Sequence, residues 1–421
     1  MAADTAWTLV LGGITAASHH PGEMAANTAW VLVCAALVMF MVPGLALFYG
    51  GMVGTKNVLN MLNMNLYCLG IIPILWAVLG FGFATGDWSF PLFGNFDAVL
   101  LNGVEGVAAN REFVFAMTFA VITPALISGA VAGRMKFTAW AIFVPVWSFL
   151  VYSPVVYWVY GDNGWIRELP ALDFAGGTAI HINAGAAALA LVMVLGPRQR
   201  WPRDVDFPHS LPLVLLGAGI LWFGWFGFNA GSALAADGVA AHAFLTTFLA
   251  AAAGMGAWMV VETFKNGKPT ALGMASGIVA GLVAITPAAG HVGAMASILI
   301  GALAGVVCFL AIGLKLRYKY DDSLDVVGVH MFGGIVGGVL IGFLADSGAI
   351  EGGDFLNGVF FGGGELLLNQ IISILAVMAY SFVVTYAISW VLNATMGLRV
   401  SADDESSGLD QSLHAETAYN N

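Results

Sequence analysis

Eleven apolar stretches, each near the length of a helix that crosses a bilayer, restrict what this chain can fold into. A hydrocarbon core of ~30 Å needs ~20 apolar residues in helical form. The stretches fall at roughly 27–50, 62–84, 113–133, 138–160, 178–196, 211–231, 243–263, 271–288, 292–314, 326–345 and 369–396. Lipid offers no water to satisfy backbone N–H and C=O groups, so only helices or a closed barrel can span it. Barrel strands would alternate in polarity over ~10 residues, and these stretches do not. Glycine, at 54 of 421 residues, suits helices that pack closely in lipid. Only 9% of residues are charged, against about 25% in soluble domains, so little of the surface is built for water. The sequence predicts an all-α integral membrane protein of eleven transmembrane helices.

Basic residues set the orientation, because they concentrate on the cytoplasmic side. With the N-terminus outside and the C-terminus inside, twelve of the fourteen fall in inside segments. These are Lys56; Arg134 and Lys136; Arg198, Arg200 and Arg203; Lys265 and Lys268; Lys315, Arg317 and Lys319; and Arg399. Arg111 and Arg167 fall outside. One missed helix would scramble this alternation, so it also supports the count. Residues 1–26 then form an extracellular extension, 27–397 a membrane domain and 398–421 a cytoplasmic tail. No basic residue precedes the apolar Leu9–Ala17 run. A weak cleaved signal segment, an extracellular extension and a misplaced start codon are all open readings. His19 and His20 beside Glu23 read as a loose terminus rather than as metal ligands. The tail, with Arg399, Ser401-Ala-Asp-Asp-Glu405 and His414, reads by composition as disordered and acidic. The net charge of −11 lies outside the spans and argues against a nucleic-acid partner. Cys34, Cys68 and Cys308 sit singly in apolar stretches, fit no zinc pattern and read as buried free thiols.

The chain repeats itself. The fifth span begins Asp173-Phe-Ala-Gly-Gly-Thr-Ala-Ile-His181, and the tenth begins Asp322-Ser-Leu-Asp-Val-Val-Gly-Val-His330. In each, a glycine follows four residues after the histidine, Gly185 and Gly334. Thr123-Pro124-Ala125 in the third span matches Thr286-Pro287-Ala288 in the eighth. Motifs five spans apart predict two five-helix halves, about 27–196 and 211–345, with an eleventh helix at about 369–396. Five is odd, so the halves insert with opposite topology. Asp173 then lies near the outer face and Asp322 near the inner face. Eight helical residues rise ~12 Å, so both histidines arrive near the midplane of a ~30 Å core.

Paired intramembrane histidines are costly and usually functional. Two neutral imidazoles can share one proton, and in an apolar lumen they offer a donor and an acceptor to a small polar solute. No carboxylate cluster suits a divalent-metal path, and no cofactor is implied. An intramembrane enzyme would need a nucleophile or metal near the pair, yet Ser323 is the one Ser or Cys in either histidine motif, at its far end. Asn57, Asn60 and Asn63 form a polar stripe that reads as interhelical hydrogen bonding. Asp321 and Asp322, with Lys315 to Lys319, read as a solvated inner surface.

Several stretches together resemble the ammonium transporter family, which includes the Amt, Mep and Rh proteins, and most of all its bacterial Amt type. They are Pro43-Gly-Leu-Ala-Leu-Phe-Tyr-Gly-Gly51, followed by Lys56-Asn-Val58; Ala171-Leu-Asp-Phe-Ala-Gly-Gly-Thr178, before His181-Ile-Asn183; Trp222-Phe-Gly-Trp-Phe-Gly-Phe-Asn-Ala-Gly-Ser232; and Asp325-Val-Val-Gly-Val-His330. The resemblance runs from about residue 27 to 415. It implies an eleven-helix fold, a homotrimer in the cell inner (plasma) membrane and one pore per subunit. It further implies that Phe119, Tyr160 and Ser232 form an outer ammonium-recruiting site, with Phe115 lining the same vestibule. Phe119 and Phe228 correspond to a stacked pair that closes the outer pore, and His181 and His330 to twin lumen histidines. Trp225 and Tyr152 resemble lumen-lining aromatics, and Asp173 a carboxylate that organises the outer site through backbone groups. In bacterial members the tail and inner loops dock a PII-type nitrogen signal protein. Such a chain recruits ammonium, with methylammonium as its analogue, deprotonates it near the Phe gate and conducts ammonia. An aromatic cup with a hydroxyl suits a cation with four N–H donors, since cation–π attraction contributes ~0.5–2 kcal/mol. Family members of the bacterial Amt type usually carry Trp where this chain has Tyr160; a one-turn shift would make Trp158 the partner instead. An ammonium sensor that binds but conducts poorly is the rival reading, to which Tyr160 gives weight.

Overall fold

The computed structural model describes residues 21–86, 90–203, 207–350 and 352–419. The Leu9–Ala17 run, His19 and His20 lie outside the described residues. Among those described there is no strand, only two isolated backbone bridges, Met135 with Arg399 and Val292 with Ala345. Ten helices are long and apolar enough to cross a membrane: α1 Gly22–Met52, α2 Val58–Thr85, α3 Gly106–Val131, α4 Phe137–Glu168, α5 Gly177–Leu195, α6 Leu211–Gly231, α7 Gly238–Asn266, α9 Ala294–Tyr318, α10 Val327–Leu344 and α11 Glu365–Thr395. Between α7 and α9 lies the shorter apolar helix α8, Ala271–Ile285. The sequence stretch there extends to 288, but the helix gives way after Ile285 to a turn over residues 286–291. The chain is therefore an all-helical, multi-pass membrane protein.

Local chemistry marks the helix ends. Ser210, Asp237 and Thr270 each accept the backbone N–H three residues on, opening α6, α7 and α8. Gly267 closes α7 with φ 86°, where a side chain would be strained.

Small residues let the helices touch. Cβ atoms added at Gly217, Gly224, Gly227 and Gly231 of α6 would meet Phe48, Met41, Leu37 and Cys34 of α1, each at 2.6 Å or less. The glycines ascend α6 as their partners descend α1, so the two helices run antiparallel. Gly301 and Gly305 of α9 press in the same way on the Ala250 and Gly254 carbonyls of α7. With lipid on the far side, such close backbone contact is the main attraction between helices.

Two sequence expectations change at the loop surface shared by α2, α10 and the tail. The tail is folded, not disordered. It forms α12 Ala402–Ser407 and α13 Leu409–His414, with Leu409 and Asp410 buried. The interhelical hydrogen bonding expected of the asparagine stripe is made to this tail: the Leu409 N–H donates to Asn57 Oδ1 at 2.9 Å, the Asn60 backbone N–H donates to Asp410 Oδ1 at 2.8 Å, and Asn60 Nδ2 lies 3.1 Å from His414 Nε2. The His414 ring packs edge-on against Phe137 at 5.1 Å. Composition predicted disorder because it counts charges and does not see the polar groups waiting at the end of α2. Asp321 and Asp322 are also buried rather than solvated. The Arg198 side chain grips Asp321 through Nε at 2.9 Å and Nη2 at 2.8 Å. Fully buried Arg134 donates to the Asp321 and Gly196 carbonyls and to Ser323. Burial works to raise the Asp321 carboxyl, but the Arg198 hydrogen bonds and the Arg134 charge overcome it and hold the group below the ordinary carboxylate range.

Removing the acceptor of a buried hydrogen bond leaves its donor unsatisfied, at a cost of about 1–3 kcal/mol. Asp410→Ala should therefore speed amide exchange across residues 402–414 by about tenfold or more, read by hydrogen–deuterium exchange. Unchanged protection there would show that the tail is held by other contacts.

Candidate functional site

The site begins with two capped turns. Asp173 sits at the entrance to α5, where Gly176 (φ 105°) bends the chain back over its carboxylate. Oδ1 accepts the N–H groups of Gly176 and Gly177 at 3.0 and 2.6 Å, and Oδ2 those of Thr178 and Ala179 at 2.9 and 3.0 Å. Burial pushes this carboxyl up to about 6, with the four N–H groups acting against that rise. Asp322 caps α10 similarly, taking Val326 and Val327 N–H at 3.1 and 2.7 Å. After each cap comes one wide π-helical turn, Gly177–Ile182 and Val327–Met331, and each carries a histidine. Such turns cluster at functional sites because they re-aim a side chain without ending the helix.

The two helices cross through their glycines. A Cβ at Gly185 would meet Met331 Cβ at 2.5 Å, and a Cβ at Gly334 would meet Ile182 Cγ1 at 2.7 Å. Each glycine, four residues beyond one histidine, packs on the residue just after the other. That reciprocity brings His181 Nδ1 within 3.2 Å of His330 Nδ1, with the rings 18° from parallel and their centroids 5.3 Å apart. At that separation one Nδ1 must carry a proton and the other must not. The pair then presents one Nε2–H donor and one Nε2 acceptor. Among the described residues, His181 Nε2 has no hydrogen-bond partner. Beside the rings, a cavity leaves about 10 Å³ for the centre of a water-sized sphere, walled by Met41, Leu45, Ile122, Leu126, Trp225 and Val279 among others. That is the space of a single small molecule.

Aromatic rings continue the column outward. Trp225 stacks on His181 at 5.3 Å and donates Nε1–H to Thr286 Oγ1 at 2.9 Å. Phe228 lies 5.9 Å from His181 on one side and 4.4 Å from Phe119 on the other. Beyond Phe119 opens a second cavity, lined by Trp76, Thr85, Tyr152, Tyr160, Ala116 and Ser232 among others. The Ser232 hydroxyl donates to the Phe228 carbonyl at 2.8 Å, so its lone pairs remain for an incoming donor.

The structure brings Phe119, Tyr160 and Ser232 together around this second cavity. Trp158, the alternative partner, points elsewhere: its Nε1–H donates to the Leu92 carbonyl at 2.8 Å, and its ring packs on Tyr380 and Trp165. Phe115 is not among the lining residues; it stands behind Phe119, centroids 4.9 Å apart. Tyr152 lines the outer cavity rather than the histidine cavity. Trp76 and Thr85 were not foreseen. They flank the π-helical turn of α2, Trp76–Gly80, which shifts the facing of Thr85 and which the apolar sequence there does not signal.

Substituting Gly185 tests the crossing. A side chain forced into a packed site costs about 1–3 kcal/mol, so Gly185→Val should lower the thermal unfolding midpoint. Gly219→Ala, on α6 with open space around it, should not. Equal midpoints for the two variants would show that the helices do not meet as drawn.

The Ammonium Transporter Family profile matches residues 29–419. The chain is 48% identical to an ammonium transporter of Mycobacterium tuberculosis (strain ATCC 25618 / H37Rv), over 92% of this chain and 88% of that one. It is also 48% identical to an ammonium transporter of Aquifex aeolicus (strain VF5), over 92% of each. Among solved structures, Candida albicans Mep2 superposes with a TM-score of 0.86 at 31% identity, covering 90% of this chain and 87% of that one. A structure described as a sensor Amt protein superposes at 0.88 with 27% identity, covering 94% and 100%. The chain therefore belongs to the ammonium transporter family.

Proposed function

We propose that this protein carries ammonium across the membrane by binding the cation outside, shedding its proton near the Phe119–Phe228 pair and passing ammonia along the histidine cavity. The Nδ1–Nδ1 contact of 3.2 Å beside a one-molecule apolar cavity carries the reading. A bare cation in that dry space would lose its hydration without a compensating charge, which costs far more than moving a neutral molecule. Neutral ammonia needs one donor and one acceptor, and a proton-sharing imidazole pair offers both. In the outer cavity the faces of Phe119 and Tyr160 and the Ser232 hydroxyl suit a cation with four N–H donors. Asp173, saturated by backbone N–H groups, acts on that site by holding the turn and through its charge. Tyr160 has a weaker π face than Trp but keeps an aromatic wall. Phe115 supports Phe119 from behind, and Trp225 forms a wall of the lumen.

The basic residues favour an N-terminus outside, a C-terminus inside and eleven crossings, with α8 as the eighth. The matched caps and reciprocal glycines support two inverted halves and an eleventh helix. Exposed aromatics at Phe244 and Phe248, beside half-buried Trp30, fit a contact between subunits of a homotrimer. Residence in the plasma membrane and docking of a PII-type signal protein on the tail side extend the same reading. A purely sensing role is not favoured, since relatives at 42–48% identity are named as transporters.

Replacing both His181 and His330 by Ala should reduce methylammonium uptake to below about a tenth of wild type while the protein still reaches the membrane. Wild-type uptake by that double variant would remove the histidines from the mechanism.

A further inference from the structure

One carboxylate at the outer end of α3 has no place in the reading above. Glu112 lies one helical turn before Ala116 and two before Phe119, both of which line the outer cavity. At roughly 100° and 1.5 Å per residue, Glu112 stands within about 20° of Phe119 and about 40° of Ala116 around the helix, and roughly 10 and 6 Å further out. Its neighbours bracket its direction. Phe113 packs edge-on against Phe81 of α2 at 5.1 Å. Arg111, on the opposite flank, reaches Thr28 of α1 at 3.5 Å. Phe115 lies against Gly231 of α6. Helical geometry thus places Glu112 between α2 and the α1–α6 pair, on the face of α3 that carries Ala116 and Phe119 to the cavity.

Its side chain is only 8% exposed, and its charged neighbour Arg111 stands 3.8 Å away. Among the described residues no hydrogen-bond donor is seated on this carboxylate. A carboxylate left with free acceptor capacity on the face of a cation path is suited to receive a cation.

We propose that Glu112 concentrates ammonium at the outer mouth and passes it to the site formed by Phe119, Tyr160 and Ser232. The proposal rests on the outer-site reading and extends it by one residue. A fixed charge acting over ~10 Å raises the local concentration of any small cation, and salt screens it over a similar distance. Glu112 therefore acts on charge rather than shape, and favours ammonium and methylammonium alike.

Glu112→Gln keeps the side-chain volume and removes the charge. In proteoliposomes at low salt, the half-saturating ammonium concentration should rise about three- to tenfold, the change falling on that value rather than on the maximal rate. The shift should shrink at physiological salt, and Glu112→Asp should restore most of the affinity. An unchanged half-saturating concentration in Glu112→Gln at low salt overturns the proposal. Should that variant fail to assemble, Arg111→Gln serves instead: loss of the counter-charge should lower the half-saturating concentration by about twofold, and an unchanged or raised value overturns the proposal. Absence of flux from the wild-type protein would instead overturn the transport reading, and the proposal with it.

Discussion

Two imidazole nitrogens held 3.2 Å apart among apolar side chains set the conditions for the rest of the fold. A buried polar group without a partner is costly, and here each ring is the other's partner. Keeping them in register requires two helix starts aimed at one point. The aspartate caps fix the starts, the π-helical turns rotate the histidines inward, and Gly185 and Gly334 let the backbones cross without a side chain between them. Displacing any of these would separate the rings and leave two orphaned polar groups in a lumen that holds about one small molecule.

Much of this architecture is legible in the sequence. The eight-residue spacing from Asp to His, repeated five spans apart, and the glycine four residues further on are one-dimensional records of the crossing. The reason is physical: each aspartate caps a turn that opens into a π-helical segment, so equal spacing places both histidines at matching points of matching turns although only part of that spacing is helical. Aromatic geometry is less legible. Phe115 and Phe119 are separated by one turn on one face, yet Phe119 lines the cavity and Phe115 stands behind it. Only the neighbouring α6, through Gly231, decides which ring meets open space. The facing of Thr85 is not legible because the π-helical turn Trp76–Gly80 shifts everything after it in α2, and nothing apolar in the sequence announces such a turn.

The tail shows the opposite failure. Its acidic composition predicts disorder, because composition weighs what a segment carries and not what it meets. Asn57 and Asn60, read as a stripe for interhelical hydrogen bonding, make those bonds to the tail helix at Leu409, Asp410 and His414. Asp321 is likewise held by Arg198 and Arg134 rather than by water. The tail side of the molecule is thus a folded polar layer closing over a nearly charge-free interior. Charge sits where paired or solvated, and the proposed path through the centre relies on two groups that are neutral and mutually bonded.

Flux through the purified wild-type protein in sealed liposomes tests the central claim most directly. A step in external ammonium should produce a saturable change in internal pH or membrane current that empty liposomes do not show. Ammonium binding to the same preparation without any flux would contradict the account and make the molecule a receptor rather than a path.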